Sequence, residues 1–360
     1  MQTTSPPIHL ALPSGSNYGW GLCGSYLRKE LSSKVTLTDP TSWDPARWAK
    51  KVDGICFHAL EGASLKSWIP LRGNKNFGYV FFENDLNPDA TQQALDYNLV
   101  LAGSTWCQER MAECGIANTG VLIQGVDTDL FYPLDDKGDD GDFVLFSGGK
   151  FEYRKGQDLV LAAFRILSQK YPRMRLITAW ENQWSESMRT MHFSTLIEYI
   201  EMGETWLEKM HALYVRNGID PQKVHTCPLL PNRKMRGIYA KTDLGIFPNR
   251  CEGGTNLVLM EYMACGKPVV ASFSSGHQDI LTEKNAFLIH KTRTAELKDQ
   301  SGQFSAHWDD FSVDELVSQI EQAYHDHEKR RRIGVNAGES LKKWTWGRMA
   351  DRVLDFVLEE

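Results

Sequence analysis

Residues 248–272 have the sequence PNRCEGGTNLVLMEYMACGKPVVAS, which predicts a strand end, a glycine-rich loop, a helix and a second strand. The helix is predicted to begin near Asn256. It is predicted to end at Gly266, because glycine is a frequent helix C-cap and Pro268 follows at once. A strand, loop and helix in this order typically place the loop at the carboxyl edge of a parallel sheet.

The loop and the first turn of this helix together form a predicted anion site. The first N–H groups of a helix have no partner within it, and the helix dipole places partial positive charge there. Glycines allow a ligand to approach the backbone closely. A diphosphate therefore fits these residues: Gly253, Gly254, Thr255, Asn256 and Leu257.

Glu261 lies about a turn further along the same helix, near a face that Leu257, Met260 and Ala264 are expected to bury. A carboxylate among apolar side chains needs hydrogen bonds. Vicinal ribose hydroxyls would supply two, so Glu261 is predicted to bind the ribose of a nucleotide.

Short apolar segments alternate with helical stretches on both sides of this region, which predicts an α/β protein with parallel sheets. The predicted strands of the first half are HLALP (9–13), KVTLT (34–38), GICFH (54–58), GYVFF (78–82) and NLVLAG (98–103). Those of the second half are DFVLFSGG (142–149), MRLITAW (174–180), KVHTCPLL (223–230), TDLGIFPN (242–249) and KPVVAS (267–272).

An acidic, glycine-containing segment, LDDKGDDGD (134–142), separates the two halves. We therefore expect a Rossmann-like lobe over 1–133 and a second over 134–343. The amphipathic helix over 344–360 is expected to pack back on the first lobe.

Composition narrows the class of function. The chain has 360 residues and a net charge of −6, so its surface offers no general attraction to nucleic acid. No apolar run is long enough to cross a bilayer, and no basic and apolar leader begins the sequence. We expect a cytoplasmic protein. The basic run 329–332 could attract an anionic membrane surface, so peripheral contact with a membrane stays an alternative.

The segment GWGLCG (19–24) matches G-x-G-x-x-G after a strand and before a helix, with Asp39 at the end of the next strand. This pattern has three interpretations: an NAD site, glycines required for packing, or a loop that faces phosphate or substrate. The long loop from Pro13 to Tyr18 and the short spacing to Asp39 count against NAD.

Several segments together resemble one family. Residues 248–272, the strand and basic pair at 143–156, the linking segment GVDTDLFYP (125–133) and AGSTW (102–106) are similar to retaining GT-B glycosyltransferases of family 4, the glycosyl transferases group 1. The resemblance implies two Rossmann-like lobes with parallel sheets facing across a cleft, with the acceptor on the side of the 1–133 lobe and the donor on the side of the 134–343 lobe. It also implies that Lys150 and Lys155 bind the donor diphosphate.

The resemblance leaves some positions open. The family has two glutamates separated by seven residues, whereas eight separate Glu252 from Glu261, so either Glu252 or Gly253 fills the first position. The first-lobe catalytic position is either His58 or Glu83. Gly19 and Gly21 are expected to face the donor phosphates or the acceptor.

The predicted function is transfer of a sugar from a nucleoside diphosphate sugar to a glycan, lipid-linked or small-molecule acceptor. Retention of anomeric configuration is implied by the resemblance. No cofactor and no metal are expected, since no metal-binding cluster stands out. The alternatives are an NAD-dependent oxidoreductase using 19–24 and a non-catalytic nucleotide-sugar-binding protein.

Overall fold

The computed structural model describes residues 6–135, 137–138, 141–298 and 305–359. The first lobe is a parallel sheet in the order β2-β1-β3-β4-β5-β6. Its strands are β1 (Ile8–Ala11), β2 (Leu37–Thr38), β3 (Ile55–Ala59), β4 (Lys75–Val80), β5 (Leu99–Ala102) and β6 (Thr119–Val121). Its helices are α1 (Gly19–Ser32), α2 (Ala90–Ala94) and α3 (Thr105–Glu113).

The second lobe is a parallel sheet in the order β12-β11-β10-β7-β8-β9. Its strands are β7 (Phe143–Gly148), β8 (Met174–Ala179), β9 (Val224–Thr226), β10 (Leu244–Phe247), β11 (Val269–Ser272) and β12 (Phe287–Ile289). The α-helices after residue 142 are α4 (Gln157–Lys170), α5 (Trp206–Arg216), α6 (Met235–Tyr239), α7 (Leu257–Ala264), α8 (Val313–His325), α9 (His327–Leu341) and α10 (Trp346–Glu359).

The central strands are apolar because both faces of each sheet are covered. Every residue of β7, β10 and β11 is buried, as expected for a parallel sheet between helix layers. These two six-stranded sheets confirm the predicted α/β fold of two Rossmann-like lobes.

Strand order also determines where a ligand can bind. In the first sheet the chain order reverses between β1 and β3, and in the second between β7 and β10. Ligands of such folds bind beyond the carboxyl ends of the strands at this reversal. The loops that follow β1, β7 and β10 therefore meet where a cleft is expected.

The C-terminal helix returns to the first lobe, as predicted. Trp346 of α10 stacks on Tyr26 of α1 with ring centroids 5.0 Å apart and planes 4° from parallel. Lys34 and Asp351 form an ion pair at 2.6 Å on the same face. Among the described residues, no helix has both the length and the apolar character needed to cross a membrane.

One element was missed by the sequence-based prediction. An antiparallel hairpin of β13 (Lys291–Lys298) and β14 (Ser305–Phe311) follows the second sheet. Its strands are rich in charged and small side chains, so they lack the apolar run by which the other strands were predicted. The hairpin contacts the first lobe, where it holds the segment after β4.

We expect Trp346→Ala to destabilise the protein by about 3–5 kcal/mol, the usual cost of removing a buried tryptophan. Only 4% of Trp346 is exposed, and the substitution removes its stack on Tyr26. Denaturant unfolding of both proteins measures the change. Arg352→Ala, an exposed change on the same helix, is the control and should cost little; an equal effect of the two would contradict this packing.

Candidate active site

A cavity of about 450 Å³ lies between the lobes at the carboxyl ends of both sheets. The first lobe contributes the loop before α1 and the segment after β4, and the second contributes the loops after β7, β8 and β10. Nine residues predicted to act at the site line it: Gly19, Glu83, Lys150, Lys155, Glu252, Gly254, Asn256, Leu257 and Glu261.

The N-terminus of α7 points into this cavity through an unusual N-cap. Asn256 has φ +63°, a left-handed conformation that asparagine tolerates better than most residues. Its side chain accepts a hydrogen bond from the N–H of Leu259. The N–H groups of Leu257 and Val258 belong to the first turn and have no acceptor within the helix.

His277 lies behind the N-cap and holds it in place. Burial lowers the pKa of His277 to about 4, so its ring is neutral at physiological pH. Nδ1 lies 3.1 Å from the Ser272 carbonyl, which can only accept, so Nδ1 carries the proton. Nε2 is then free to accept from the Asn256 amide at 3.3 Å. His277 therefore positions Asn256; it is not among the residues that line the cavity.

Glu261 lies at one end of the cavity with two protein partners. Its carboxylate accepts hydrogen bonds from the Asn232 amide at 2.6 Å and from the Tyr239 hydroxyl at 3.2 Å. Burial raises the pKa of Glu261 to about 8, despite these two bonds. Any further hydrogen-bond donor to Glu261 would stabilise its ionised form and lower its pKa.

Glu252 has the opposite environment. Its carboxylate lies 2.5 Å from the Lys155 ammonium and 3.3 Å from the Arg154 guanidinium, and it also accepts from Asn249. Burial alone would raise the pKa of Glu252, but Lys155 and Arg154 outweigh it and hold the pKa at about 2. Glu252 is therefore ionised throughout the physiological range.

The remaining charges near Glu252 are also paired. Arg154 contacts Glu83 at 3.3 Å and Glu152 at 2.6 Å, and Lys150 contacts Glu152 at 3.3 Å. Lys150 is the most exposed of the three cations, with 38% of its side chain accessible. A phosphate group could thus be reached by Lys150 without breaking a buried ion pair.

Glu83 stands where the lobes meet. Its carboxylate accepts from the N–H of Gly253 at 3.3 Å, and its carbonyl accepts from the Trp308 indole at 2.6 Å. Hairpin residues Ser305 and His307 bind Asp85 of the same segment, at 2.5 and 3.0 Å. The hairpin therefore ties the segment after β4 to the second lobe.

Four predicted residues are not among those that line the cavity: Gly21, His58, Gly253 and Thr255. His58 is fully buried, 3.4 Å from the Asn76 amide and edge-on to Tyr97, and its ring does not line the cavity. Of the two first-lobe candidates, the structure brings only Glu83 to the cavity. Thr255 is buried and donates to the Met260 sulfur. Gly253 packs against the backbone of Phe82, and its N–H donates to Glu83.

The glycines of the 19–24 segment have different roles. A Cβ at Gly21 would lie 2.8 Å from the Gly15 backbone, and one at Gly24 would lie 2.0 Å from the Pro13 carbonyl. Both are required for packing α1 against the loop that precedes it. Gly19 opens α1 and lines the cavity. Seven residues separate β1 from α1, so the tight turn of a dinucleotide fingerprint is not formed.

Sequence reasoning missed three residues that hold the site together: Arg154, Asn232 and Tyr239. Arg154 directly precedes Lys155 in the sequence, and its charge was a usable signal. Asn232 and Tyr239 lie on a separate segment, and no local pattern connects them with Glu261. Within the described ranges, no group of three or more His, Cys, Asp or Glu side chains is placed to hold a metal ion.

Residues 142–306 match the family described as Glycosyl transferases group 1. The matched range includes the loops after β7 and β10, and thus Lys150, Lys155, Glu252 and Glu261. It covers most of the second lobe and agrees with the resemblance drawn from residues 248–272.

Two curated relatives are also named as sugar transferases. The chain is 31% identical over 108 residues, 30% of its length, to sulfoquinovosyl transferase SQD2 of Arabidopsis thaliana. It is 22% identical over 216 residues, 59% of its length, to the putative glycosyltransferase EpsD of Bacillus subtilis. The chain spans 18% and 45% of the lengths of these two relatives.

Solved structures confirm the fold. The sucrose-phosphate synthase of Thermosynechococcus elongatus superposes with a TM-score of 0.72 at 14% identity, over 98% of both chains. HepE of Anabaena, crystallised with UDP-glucose, gives a TM-score of 0.65 at 15% identity over 99% of this chain and 100% of its own. The chain thus has the GT-B fold of two lobes around a cleft.

The raised pKa of Glu261 predicts how stability depends on pH. The folded protein binds this proton more tightly than the unfolded chain, whose glutamate has a pKa near 4.5. The contribution of Glu261 to stability is therefore fully present below about pH 4.5 and is lost as the pH rises through about 8. Glutamine cannot ionise, so Tm of Glu261→Gln minus Tm of wild type should increase from pH 5 to pH 9 in thermal scans. A constant difference would contradict the buried environment of Glu261.

Proposed function

We propose that this protein is a glycosyltransferase that takes a sugar from a nucleoside diphosphate sugar. The observation that carries the proposal is the pairing of the α7 N-terminus with Glu261 at one cavity. A helix N-terminus binds phosphate through its N–H groups and dipole, and Glu261 lies one turn away on the same helix. The group 1 match across this segment supports the assignment.

The nucleoside lies at the Glu261 end of the cavity. Each oxygen of the Glu261 carboxylate has one protein donor in the structure, and each retains a lone pair for a ribose hydroxyl. Pro228, Leu229 and Leu230 line the same cavity. The Leu229 N–H is already bound by Glu181 at 2.7 Å, which fixes the backbone that would lie along the base.

The diphosphate lies at the N-terminus of α7. The N–H groups of Leu257 and Val258, with Lys150 and Lys155, stabilise the negative charge that grows on the leaving group. Lys155 also keeps Glu252 ionised. Glu252 is then available to bind sugar hydroxyls or to stabilise positive charge on the anomeric carbon, and Glu83 is the carboxylate from the first lobe.

The reaction breaks the bond between the anomeric carbon and the diphosphate oxygen and forms a bond from that carbon to an acceptor hydroxyl oxygen. We propose retention, with the acceptor approaching the face from which the diphosphate leaves. That geometry puts the acceptor hydroxyl beside the leaving oxygen, which takes its proton. We also propose that the protein belongs to family 4 and that its reaction requires neither a metal nor a cofactor.

The base of the donor is best tested with uridine nucleotides first, because HepE was crystallised with UDP-glucose. The acceptor is a glycan, a lipid-linked sugar or a small molecule, and the protein acts in the cytoplasm, in solution or at a membrane surface. The NAD alternative loses its main support, since Gly21 and Gly24 are packing glycines.

Glu261→Gln and Lys155→Met should each raise the Kd for UDP about tenfold or more, since a hydrogen bond to a charged group contributes about 1.5–3 kcal/mol. Isothermal titration calorimetry measures this directly. Lys170→Met is the matched control, because Lys170 is exposed and pairs with Glu321 at the surface.

Unchanged affinity in both site variants would overturn the proposed donor site. Catalysis is tested separately by incubating the wild type with UDP-sugars and measuring release of UDP. Tight binding of UDP-sugars with no release of UDP, with or without added acceptors, would indicate a binding protein.

A further inference from the structure

The first lobe carries a row of aromatic side chains that the donor site leaves unused. Tyr79, Phe81, Trp20 and Trp68 follow one another, with successive ring centroids 4.8, 4.8 and 5.5 Å apart. Tyr79 is fully buried, whereas 44% of Trp68 is exposed. The row therefore runs from the core of the first lobe to its surface.

The middle of the row lies at the cavity. Phe81 and Trp20 both line it, whereas Trp68 contacts Trp20 and is not among the lining residues. The Phe81 ring lies in a notch that glycine alone permits, since a Cβ at Gly103 would come within 2.1 Å of the ring and one at Gly254 within 3.0 Å. Gly254 belongs to the loop before α7, so the inner end of the row adjoins the proposed diphosphate site.

The chemistry of the row fits a sugar ring. Aromatic faces carry partial negative charge and attract the polarised C–H groups of a pyranose. Polar side chains accompany the aromatic rings around the cavity: Ser16, Asn17, Glu83 and Gln124. A sugar has apolar faces that match the aromatic rings and hydroxyls that can bond the polar groups, whereas an acyl chain would shield these polar groups from water and offer them no hydrogen bond.

We propose that Trp20 and Trp68 bind the acceptor, and that this acceptor is a carbohydrate whose ring stacks on them. This inference rests on the proposed function, because an acceptor site is required only if the protein transfers a sugar from a donor. The acceptor hydroxyl oxygen bonds to the anomeric carbon, the bond to the diphosphate breaks, and the hydroxyl proton leaves with the diphosphate. Trp68 holds the ring outward of the transfer point and takes no part in the bond changes.

The test uses Trp68→Ala, Trp68→Phe and a control. Trp68 is half exposed, so its removal should leave the fold intact, and circular dichroism checks this. Phe193→Ala is the control, since Phe193 is an aromatic residue that is 37% exposed and packs near Tyr153 and not beside Trp20. The probes are methyl α-D-glucopyranoside, methyl α-D-mannopyranoside and methyl β-D-galactopyranoside, each with saturating UDP.

Saturation-transfer NMR should detect binding of at least one glycoside to the wild type. Trp68→Ala should weaken that binding about fivefold or more, because one of the two stacking rings is lost. Trp68→Phe and Phe193→Ala should retain it, and the Kd for UDP should be the same in all four proteins.

Three results would overturn the proposal while leaving the proposed function intact: no glycoside bound in the presence of bound UDP, equal glycoside binding by wild type and Trp68→Ala, or Trp68-dependent binding of dioctanoylglycerol in place of the glycosides. Weaker UDP binding in Trp68→Ala would also overturn it, since the ring would then belong to the donor site. Failure of all the proteins to bind any nucleoside diphosphate would overturn the proposed function and this inference together.

Discussion

The close contact of the Gly253–Gly254 turn with the first lobe is the constraint on which the site depends. A Cβ at Gly253 would lie 2.5 Å from the Phe82 carbonyl, so no other residue fits without separating the lobes. The Gly253 carbonyl accepts from Ser104 at 2.8 Å, and its N–H donates to Glu83. This turn leads directly into α7. The contact therefore sets where the helix N-terminus lies in the cleft.

Two carboxylates on either side of that turn are placed in opposite environments. Glu252 is surrounded by Lys155 and Arg154, which hold its pKa at about 2, whereas burial without a cation raises the pKa of Glu261 to about 8. One carboxylate thus carries a permanent charge at the cavity. In the proposed donor complex, ribose hydroxyls would stabilise the charge of the other, so nucleoside binding and ionisation of Glu261 would be coupled.

The fold could be predicted because buried parallel strands leave a strong apolar signal, and the α7 segment because its loop and caps are local in sequence. The β13–β14 hairpin could not, since its strands are rich in charged and small side chains and carry no apolar run, and its role depends on contacts with residues 83–85. The partners of Glu261 came from another segment, which only the tertiary structure reveals. His58 was misleading because a strand-end histidine is placed by the face of the sheet it occupies, and here it faces Asn76 and Tyr97.

A crystal structure of the protein with UDP tests the central claim most directly. We expect the phosphates within hydrogen-bond distance of the Leu257 and Val258 N–H groups, and both ribose hydroxyls on the Glu261 carboxylate. Nucleotide bound anywhere else, with the α7 N-terminus and Glu261 left as they are in the free protein, would contradict the account.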